Sequence, residues 1–198
     1  MRSMFVSLAI AVGLAGLGCA TAPRPTEFPP EARRETPPEG IMERAKAVGD
    51  VAPDFSLPGS VEREWSLSNA VERGPVVVLF YRGHWCRYCR KQLGELQQSL
   101  KEFERRGASL VAISVDDLGK TRALAQDLGI TFPLLSDVNL EVTRAWGLED
   151  PGNAIPWPAM YIVTRDGRIA WRSLEETYKV RPSSEVVLEA LDEVMRAQ

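Results

Sequence analysis

The chain has 198 residues, of which 44% are hydrophobic and 26% are charged, a composition that suits one soluble domain with additional segments. The formal net charge is −3, and no basic stripe with interleaved aromatic residues is present, so nucleic acid is excluded as the expected partner. With three cysteines and a single histidine, the sequence also lacks the ligands that a zinc site normally needs, and no metal is expected.

Residues 1–19 are predicted to be an export signal. Arg2 precedes an apolar stretch at 4–17, which is short for a membrane span and suits the hydrophobic region of a signal peptide. Cys19 stands where a bacterial lipoprotein signal places its acylated cysteine. We therefore expect a periplasmic protein anchored to the membrane through lipid on Cys19, whereas ordinary cleavage near Ala20 or Ala22 would give a free periplasmic protein.

Residues 20–46 are predicted to be a disordered tether. They contain six prolines among charged and small residues, and they show no apolar period. Such a segment buries too little surface to offset the entropy lost on ordering. We expect it to hold the folded domain, predicted at 47–198, away from the membrane.

From Val48 onward, predicted strands and helices alternate. The first elements that we expect are a buried strand at 76–81 and a helix at 86–106 with a kink at Gly94. They are followed by a strand at 110–115, a helix ending at Leu128, a short strand at 132–137 and a helix ending at Trp146. The chain is expected to end with paired strands at 159–163 and 169–172 and a last helix that begins at Pro182. This order predicts an α/β fold, a three-layer sandwich built on a mixed central sheet.

The C-x-x-C pair, Cys86 and Cys89, follows the first predicted strand and opens the long helix. Two thiols three positions apart at a helix start can close into a disulfide and reopen with little backbone movement. The helix N-terminus also lowers the pKa of an exposed thiol, because its unpaired N–H groups favour a thiolate. A strand, C-x-x-C and a helix in this order predict a thiol redox site.

Four segments carry a family resemblance: residues 48–57 (VGDVAPDFSL), 112–116 (AISVD), 130–137 (ITFPLLSD) and 158–167 (PAMYIVTRDG). They resemble the alkyl hydroperoxide reductase/thiol-specific antioxidant (AhpC/TSA) family, which contains the peroxiredoxins and their redoxin relatives. The likeness covers about residues 47–196. It implies a thioredoxin-like α/β/α sandwich that reduces hydrogen peroxide or organic hydroperoxides, with a dithiol protein as reductant and no cofactor.

Three positions depart from the peroxiredoxin pattern, two in the cysteine motif and one before the late strand. Peroxiredoxins usually show the motif P-x-x-x-T-x-x-C, whose cysteine attacks peroxide. When this motif, the peroxiredoxin frame, is aligned on this chain, its cysteine falls at Cys89, Arg82 replaces the proline and Cys86 replaces the threonine. Many peroxiredoxins have an arginine just before the late strand, where this chain has Pro158 and thioredoxins have a cis-proline. The resemblance therefore predicts a cis peptide bond between Trp157 and Pro158 that helps to shape the site.

The order in which the cysteines act stays open at this stage. An exposed position at the helix start favours Cys86 as the attacking thiolate, with Cys89 resolving one turn later, whereas the peroxiredoxin frame favours the reverse. Trp85 is expected to pack over the site and shape substrate access. Arg87 either lowers the pKa of a thiolate or is a solvated surface charge. His84 is either a general acid for a leaving group or a loop residue packed against Trp85.

No carboxylate is expected behind the thiols. Phe80 occupies the position equivalent to the buried aspartate of thioredoxins. The acidic residues that follow later elements, Asp116, Asp117, Glu149 and Asp150, are interpreted as helix caps and solvated turn residues.

Three functions of different classes follow from these features. The leading hypothesis is an antioxidant thiol peroxidase in which Cys86 and Cys89 cycle between dithiol and disulfide. The alternative is a thioredoxin-like thiol–disulfide oxidoreductase acting on protein disulfides in the periplasm, which C-x-x-C together with Pro158 favours. The third is a non-catalytic copper-binding or redox-sensing module, although copper chaperones of this fold use a distant histidine and no histidine follows His84.

Overall fold

The computed structural model describes residues 36–61 and 63–197. The predicted signal, Cys19 and the predicted tether as far as residue 35 lie outside these ranges. Within the described part of the chain, no helix is both long enough and apolar enough to cross a membrane.

The described residues form seven helices and nine strands. The helices are α1 (Ile41–Arg44), α2 (Leu67–Val71), α3 (Arg87–Gln98), α4 (Leu100–Arg105), α5 (Leu118–Leu128), α6 (Glu141–Ala145) and α7 (Ser184–Arg196). The strands are β1 (Ser56–Leu57), β2 (Trp65–Ser66), β3 (Val76–Phe80), β4 (Ser109–Ser114), β5 (Leu134–Ser136), β6 (Glu149–Asp150), β7 (Ile155–Pro156), β8 (Ala159–Val163) and β9 (Ile169–Leu174).

Five strands form the central sheet, in the order β5–β4–β3–β8–β9. Strands β3, β4 and β5 run parallel to one another, because each crossover between them contains helices. Strands β8 and β9 are antiparallel neighbours joined by a short turn. At the centre, Val78 of β3 pairs with Val111 of β4 on one side and with Tyr161 of β8 on the other. The sheet is therefore mixed, as predicted.

Helices cover both faces of this sheet, which confirms the predicted α/β/α sandwich. All five residues of β3 are buried, and they alternate between the two faces. Val77 and Leu79 pack with α3, α5 and α7. Val76, Val78 and Phe80 pack with α2 and α6 on the opposite face. A strand buried on both sides needs a continuous apolar run, and this requirement explains why β3 is recognisable in the sequence.

The helix predicted at 86–106 is divided into α3 and α4 by Ser99, whose backbone (φ −95°, ψ 3°) leaves the helical conformation. The amide N–H of Ser99 is shared between the carbonyls of Glu95 at 3.1 Å and Leu96 at 3.2 Å, which tightens the last turn of α3. Gly94 lies inside the unbroken part of α3. The predicted helix is thus interrupted at Ser99, five residues after Gly94.

The last residues of the predicted 20–46 tether pack against the domain. Helix α1 buries Ile41 completely, and Ala45 after it is only 3% exposed. The approach is close, because a Cβ atom at Gly147 (φ +73°) would lie 2.1 Å from the carbonyl oxygen of Arg44. The prediction of disorder is wrong for this stretch. The buried apolar residues here, Ile41 and Ala45, are four positions apart and span one helical turn. Hydrophobic periodicity cannot be recognised in a sequence over a single turn.

Replacing Trp146 by alanine is expected to destabilise the domain by about 3–5 kcal/mol, the usual effect of removing a large aromatic side chain from a packed core. Its fully buried ring lies 4.9 Å from the ring of Tyr161 and 5.2 Å from that of Phe80, and Nε1 donates to the Pro53 carbonyl at 3.1 Å. Urea unfolding followed by circular dichroism measures the loss. Val138→Ala, at a side chain 55% exposed, is the control and should change stability by less than about 0.5 kcal/mol. Equal stability of the two variants would contradict the packing role.

Candidate active site

The two site cysteines lie at the start of α3, after the loop that leaves β3. Cys86 is the N-cap residue: its backbone is extended (φ −77°, ψ 109°), and its sulfur accepts a hydrogen bond from the backbone N–H of Cys89 at 3.3 Å. The unpaired N–H groups of the first helical turn favour negative charge at this point. The strand, the C-x-x-C pair and the helix thus stand in the predicted order.

The sulfurs of Cys86 and Cys89 are joined as a disulfide, and the two Cα atoms lie 5.2 Å apart. Both residues are almost inaccessible, at 2% and 0% exposed respectively. Trp85 and Tyr88 pack against the buried cluster that contains them. The expectation that Cys86 is exposed is therefore wrong for the disulfide form, because the surrounding side chains cover it.

A histidine–aspartate pair lies in the same loop. Nδ1 of His84 is 2.7 Å from Oδ1 of Asp116, and the backbone N–H of His84 donates to Oδ2 at 2.6 Å. The Ser114 hydroxyl donates to the same Oδ2 at 3.0 Å. Asp116 is 5% exposed, so its interpretation as a solvated residue is wrong. Because a carboxylate only accepts hydrogen bonds, Nδ1 of His84 carries the hydrogen, and Nε2 is left for a ligand or proton transfer.

The pair joins the ends of two neighbouring parallel strands. Phe80 of β3 and Ile113 of β4 are register partners, and His84 and Asp116 follow them. The carboxyl ends of parallel strands meet at one edge of a sheet, where α/β proteins place their sites. The position of Asp116, directly after the second apolar strand, is the sequence signal that could have identified it.

Gly83 allows this loop to pass close to the pair. Its φ is +150°, and a Cβ atom there would lie 2.8 Å from Nε1 of Trp85 and 3.3 Å from Oδ1 of Asp116. A larger residue would therefore displace the Trp85 indole or the Asp116 carboxylate.

The Arg87 side chain packs against the neighbouring residue, Tyr88. Its side chain is exposed, Nη2 donates to the Tyr88 hydroxyl at 2.7 Å, and the guanidinium carbon is 4.7 Å from the Tyr88 ring centroid. These contacts favour the interpretation of Arg87 as a solvated surface charge. Arg90 supports the loop instead: Nη1 donates to the His84 carbonyl at 3.4 Å, and the same guanidinium pairs with Asp127.

A buried arginine lies among aromatic rings at this end of the sheet. Arg82 is 2% exposed, and its guanidinium carbon is 4.0 Å from the ring centroid of Tyr178 and 5.0 Å from that of Trp85. Burial lowers the pKa of Arg82 below its ordinary value. Tyr178 also contacts the rings of Tyr88 and Trp157, with centroids 5.8 Å and 6.5 Å apart. Sequence reasoning missed Tyr178 because its segment contains no motif.

Pro158 is buried immediately before β8. No peptide bond of the described residues is cis, so the cis bond predicted before Pro158 is wrong. The backbone N–H of Trp157 donates to the Leu148 carbonyl at 2.7 Å, and its indole N–H donates to the Glu175 carbonyl at 3.0 Å. These two bonds direct the chain into β8 with the trans bond. The Trp157 ring lies against Tyr178.

The other acidic residues divide into two groups. Asp117 caps α5 as predicted, its carboxylate accepting the backbone N–H of Lys120 at 2.9 Å, and Glu149 pairs with Arg144 at 2.9 Å. Asp150 is 1% exposed and accepts hydrogen bonds from the turn that follows it, so the solvated interpretation is wrong for this residue. Nowhere in the described ranges do three or more His, Cys, Asp or Glu side chains lie together as a metal site would require.

A model of the AhpC/TSA family matches residues 48–172. This chain belongs to the AhpC/TSA family. Over 143 residues it is 29% identical to the chloroplastic peroxiredoxin Q of Triticum aestivum, an alignment that covers 72% of this chain and 65% of the wheat protein. Over 126 residues it is 28% identical to the thiol-disulfide oxidoreductase ResA of Geobacillus thermodenitrificans, covering 63% of this chain and 68% of ResA.

The solved structures support the same assignment. The crystal structure of peroxidoxin BcpB from Mycobacterium tuberculosis superposes on this AhpC/TSA chain with a TM-score of 0.66 at 26% identity, covering 76% of this chain and 97% of that one. The resemblance found in the sequence and the thioredoxin-like fold are therefore confirmed. The chain spans 65% of the wheat relative and 68% of ResA, about two thirds of the length of each.

Proposed function

We propose that this AhpC/TSA protein is an antioxidant thiol peroxidase that reduces hydroperoxides through a Cys86–Cys89 dithiol/disulfide cycle. The observation that carries the proposal is the closed pair itself, in which the two sulfurs join as a disulfide at the N-terminus of α3. Such a cycle needs no bound cofactor, because the two thiols supply both electrons. Membership of the family supports a hydroperoxide as the substrate.

The first step is attack by the Cys86 thiolate. Cys86 is favoured over Cys89 because its sulfur caps α3 and accepts the Cys89 N–H, so negative charge on this sulfur is stabilised. The thiolate attacks one oxygen of the hydroperoxide. An S–O bond forms and the O–O bond breaks, which leaves Cys86 as a sulfenic acid and releases an alkoxide that takes up a proton.

The second step closes the pair. The Cys89 sulfur attacks the Cys86 sulfur, an S–S bond forms, the S–O bond breaks, and the hydroxyl leaves as water with the thiol proton of Cys89. The 5.2 Å between the two Cα atoms allows this closure within one turn. An external dithiol, itself oxidised to a disulfide, then returns two electrons and two protons.

We propose that His84, as an imidazolium with hydrogens on both ring nitrogens, donates the Nε2 proton to the leaving alkoxide, and that Asp116 is its positioning residue. The two hydrogen bonds from His84 to the Asp116 carboxylate hold both the loop backbone and the imidazole in one orientation. The His84 side chain is 31% exposed, so the ring can exchange protons with solvent between turnovers.

A second candidate function is thiol–disulfide exchange with protein disulfides. The C-x-x-C pair at a helix start suits this reaction, and the similarity to ResA favours it. In this reaction the Cys86 thiolate attacks a substrate disulfide, and Cys89 releases the mixed disulfide.

Peroxide consumption and insulin reduction, assayed side by side with dithiothreitol as reductant, separate the two functions. We expect peroxide consumption far above the rate of dithiothreitol alone and little acceleration of insulin reduction. Peroxide turnover no faster than that of free dithiothreitol would remove the peroxidase proposal, and rapid insulin reduction in the same samples would establish the second function.

We further propose that the protein is exported and held at the periplasmic membrane through lipid on Cys19, on the pattern of residues 1–19 alone. Growth with labelled palmitate is then expected to label the unmodified protein and not Cys19→Ser, because the Cys19 thiol is the acylated group. Absence of label from the unmodified protein would contradict the lipid anchor.

A further inference from the structure

Residues 175–181, which are part of the connection between β9 and α7, lie over the site and bring a second arginine to it. Tyr178 in this segment contacts the ring of Tyr88, and the guanidinium carbon of Arg82 lies 4.0 Å from the Tyr178 ring centroid. Arg181 is close enough to Arg82 for the two positive charges to interact. Two guanidinium groups therefore share one partly buried region next to the C-x-x-C turn.

Arg181 has unused hydrogen-bond donors. Its Nε and Nη2 atoms are buried and have no partner among residues 36–61 and 63–197, while Nη1 donates to the Val180 carbonyl at 2.7 Å. The charge of Glu175 acts on Arg181, but Oε1 of Glu175 accepts the Ser173 hydroxyl at 3.1 Å. Burial, with the charge of Arg82, lowers the pKa of Arg181 to about 10. A guanidinium already removed from water gains more from an anion than a solvated one does.

We propose that Arg181 and Arg82 form a carboxylate-binding subsite beside the disulfide, which selects organic hydroperoxides that carry a carboxylate on an apolar chain. The planar fork of a guanidinium matches a carboxylate through two parallel hydrogen bonds. The rings of Trp85, Tyr88 and Tyr178 supply apolar surface for the chain of such a substrate. This inference rests on the proposed peroxidase function and adds a class of substrate to it.

The 175–181 segment shifts to admit the substrate, because both the disulfide and the free donors of Arg181 are covered. The segment belongs to no helix or strand, and the backbone hydrogen bond from Val180 to the Thr177 carbonyl, at 3.4 Å, is local and long. Segments outside regular secondary structure open at lower free energy than the paired strands beside them. Substrate binding and movement of the segment are therefore coupled.

The test compares linoleic acid hydroperoxide with its methyl ester, since the two differ in the carboxylate alone. In the full-length protein we expect kcat/KM to be at least about tenfold higher for the acid, and Arg181→Gln to bring the ratio close to one. Arg181→Lys keeps the positive charge but lacks the planar guanidinium, and it should retain part of the preference for the acid over the ester. Arg122→Gln, at an exposed arginine of α5, is the matched control and should keep the full preference.

A ratio near one in the unmodified protein, or an unchanged ratio in Arg181→Gln, would overturn the subsite. Isothermal titration with octanoate, which carries no hydroperoxide, provides a second readout: we expect binding to the unmodified protein and to Arg122→Gln, and none to Arg181→Gln with an unchanged circular dichroism spectrum. Failure of the proposed function has a different signature, because the protein would then consume neither hydroperoxide nor hydrogen peroxide while octanoate still bound. Absence of octanoate binding in the unmodified protein counts against the subsite.

Discussion

Cys86→Ser is expected to reduce peroxide turnover by at least about a thousandfold, because a serine hydroxyl forms neither a thiolate nor a disulfide at neutral pH. Cys89→Ser keeps the attacking sulfur and, without added thiol, should consume one equivalent of peroxide and then stop. The difference follows from the geometry of α3. The Cys86 sulfur caps the helix and accepts an N–H at 3.3 Å, whereas Cys89 lies in the first turn and supplies that N–H.

Intact-mass measurement after one equivalent of peroxide identifies the attacking sulfur. The Cys89→Ser variant should gain about 16 Da, the mass of one oxygen, and Cys86→Ser should gain nothing. Both variants are made together with Cys19→Ser, so that Cys19 contributes no thiol, and Cys19→Ser alone is the control with full turnover. The opposite pattern would assign the attack to Cys89, as the peroxiredoxin frame predicts. Full turnover in both variants would contradict the cycle.

Asp116→Asn is expected to slow peroxide turnover by about a hundredfold, at the lower end of the contribution of general acid–base groups. The Asp116 carboxylate accepts a hydrogen bond from Nδ1 of His84 at 2.7 Å and another from the His84 backbone N–H at 2.6 Å. The Ser114 hydroxyl also donates a hydrogen bond to this carboxylate. An amide has one acceptor oxygen, so its NH₂ group would face one of these donors. Either the loop backbone or the imidazole then loses its orientation, and the favoured tautomer of His84 changes.

A double-mutant cycle with His84→Gln tests whether Asp116 acts through the histidine. If the two residues form one unit, the double variant should be about as slow as either single variant. Asp117→Asn, at the neighbouring exposed acid that caps α5, is the matched control and should keep the turnover rate. Additive losses in the double variant, or an equal loss in Asp117→Asn, would refute a positioning role. Urea unfolding of each variant verifies that the domain is folded in the assay.

Strand β3 and the start of α3 could be predicted because they depend on neighbouring residues. The five apolar residues of Val76–Phe80 suit a strand buried on both faces, and all five are buried. Cys86 caps the helix at the point where the C-x-x-C pattern predicts its start. The break at Ser99 and the packing of Ile41 escaped prediction, because each depends on a single turn of chain.

The surroundings of the cysteines depend on contacts between distant segments. His84 meets Asp116, 32 residues later, because β3 and β4 run parallel and end at the same edge of the sheet. Tyr178 reaches Arg82 because the chain returns past the site after the antiparallel β8–β9 pair. Strand order and register are properties of the whole sheet, and no local propensity specifies them. The chemistry of the C-x-x-C pair is thus visible in the sequence, whereas its aromatic cover, its histidine–aspartate pair and its buried arginines emerge from the folded arrangement.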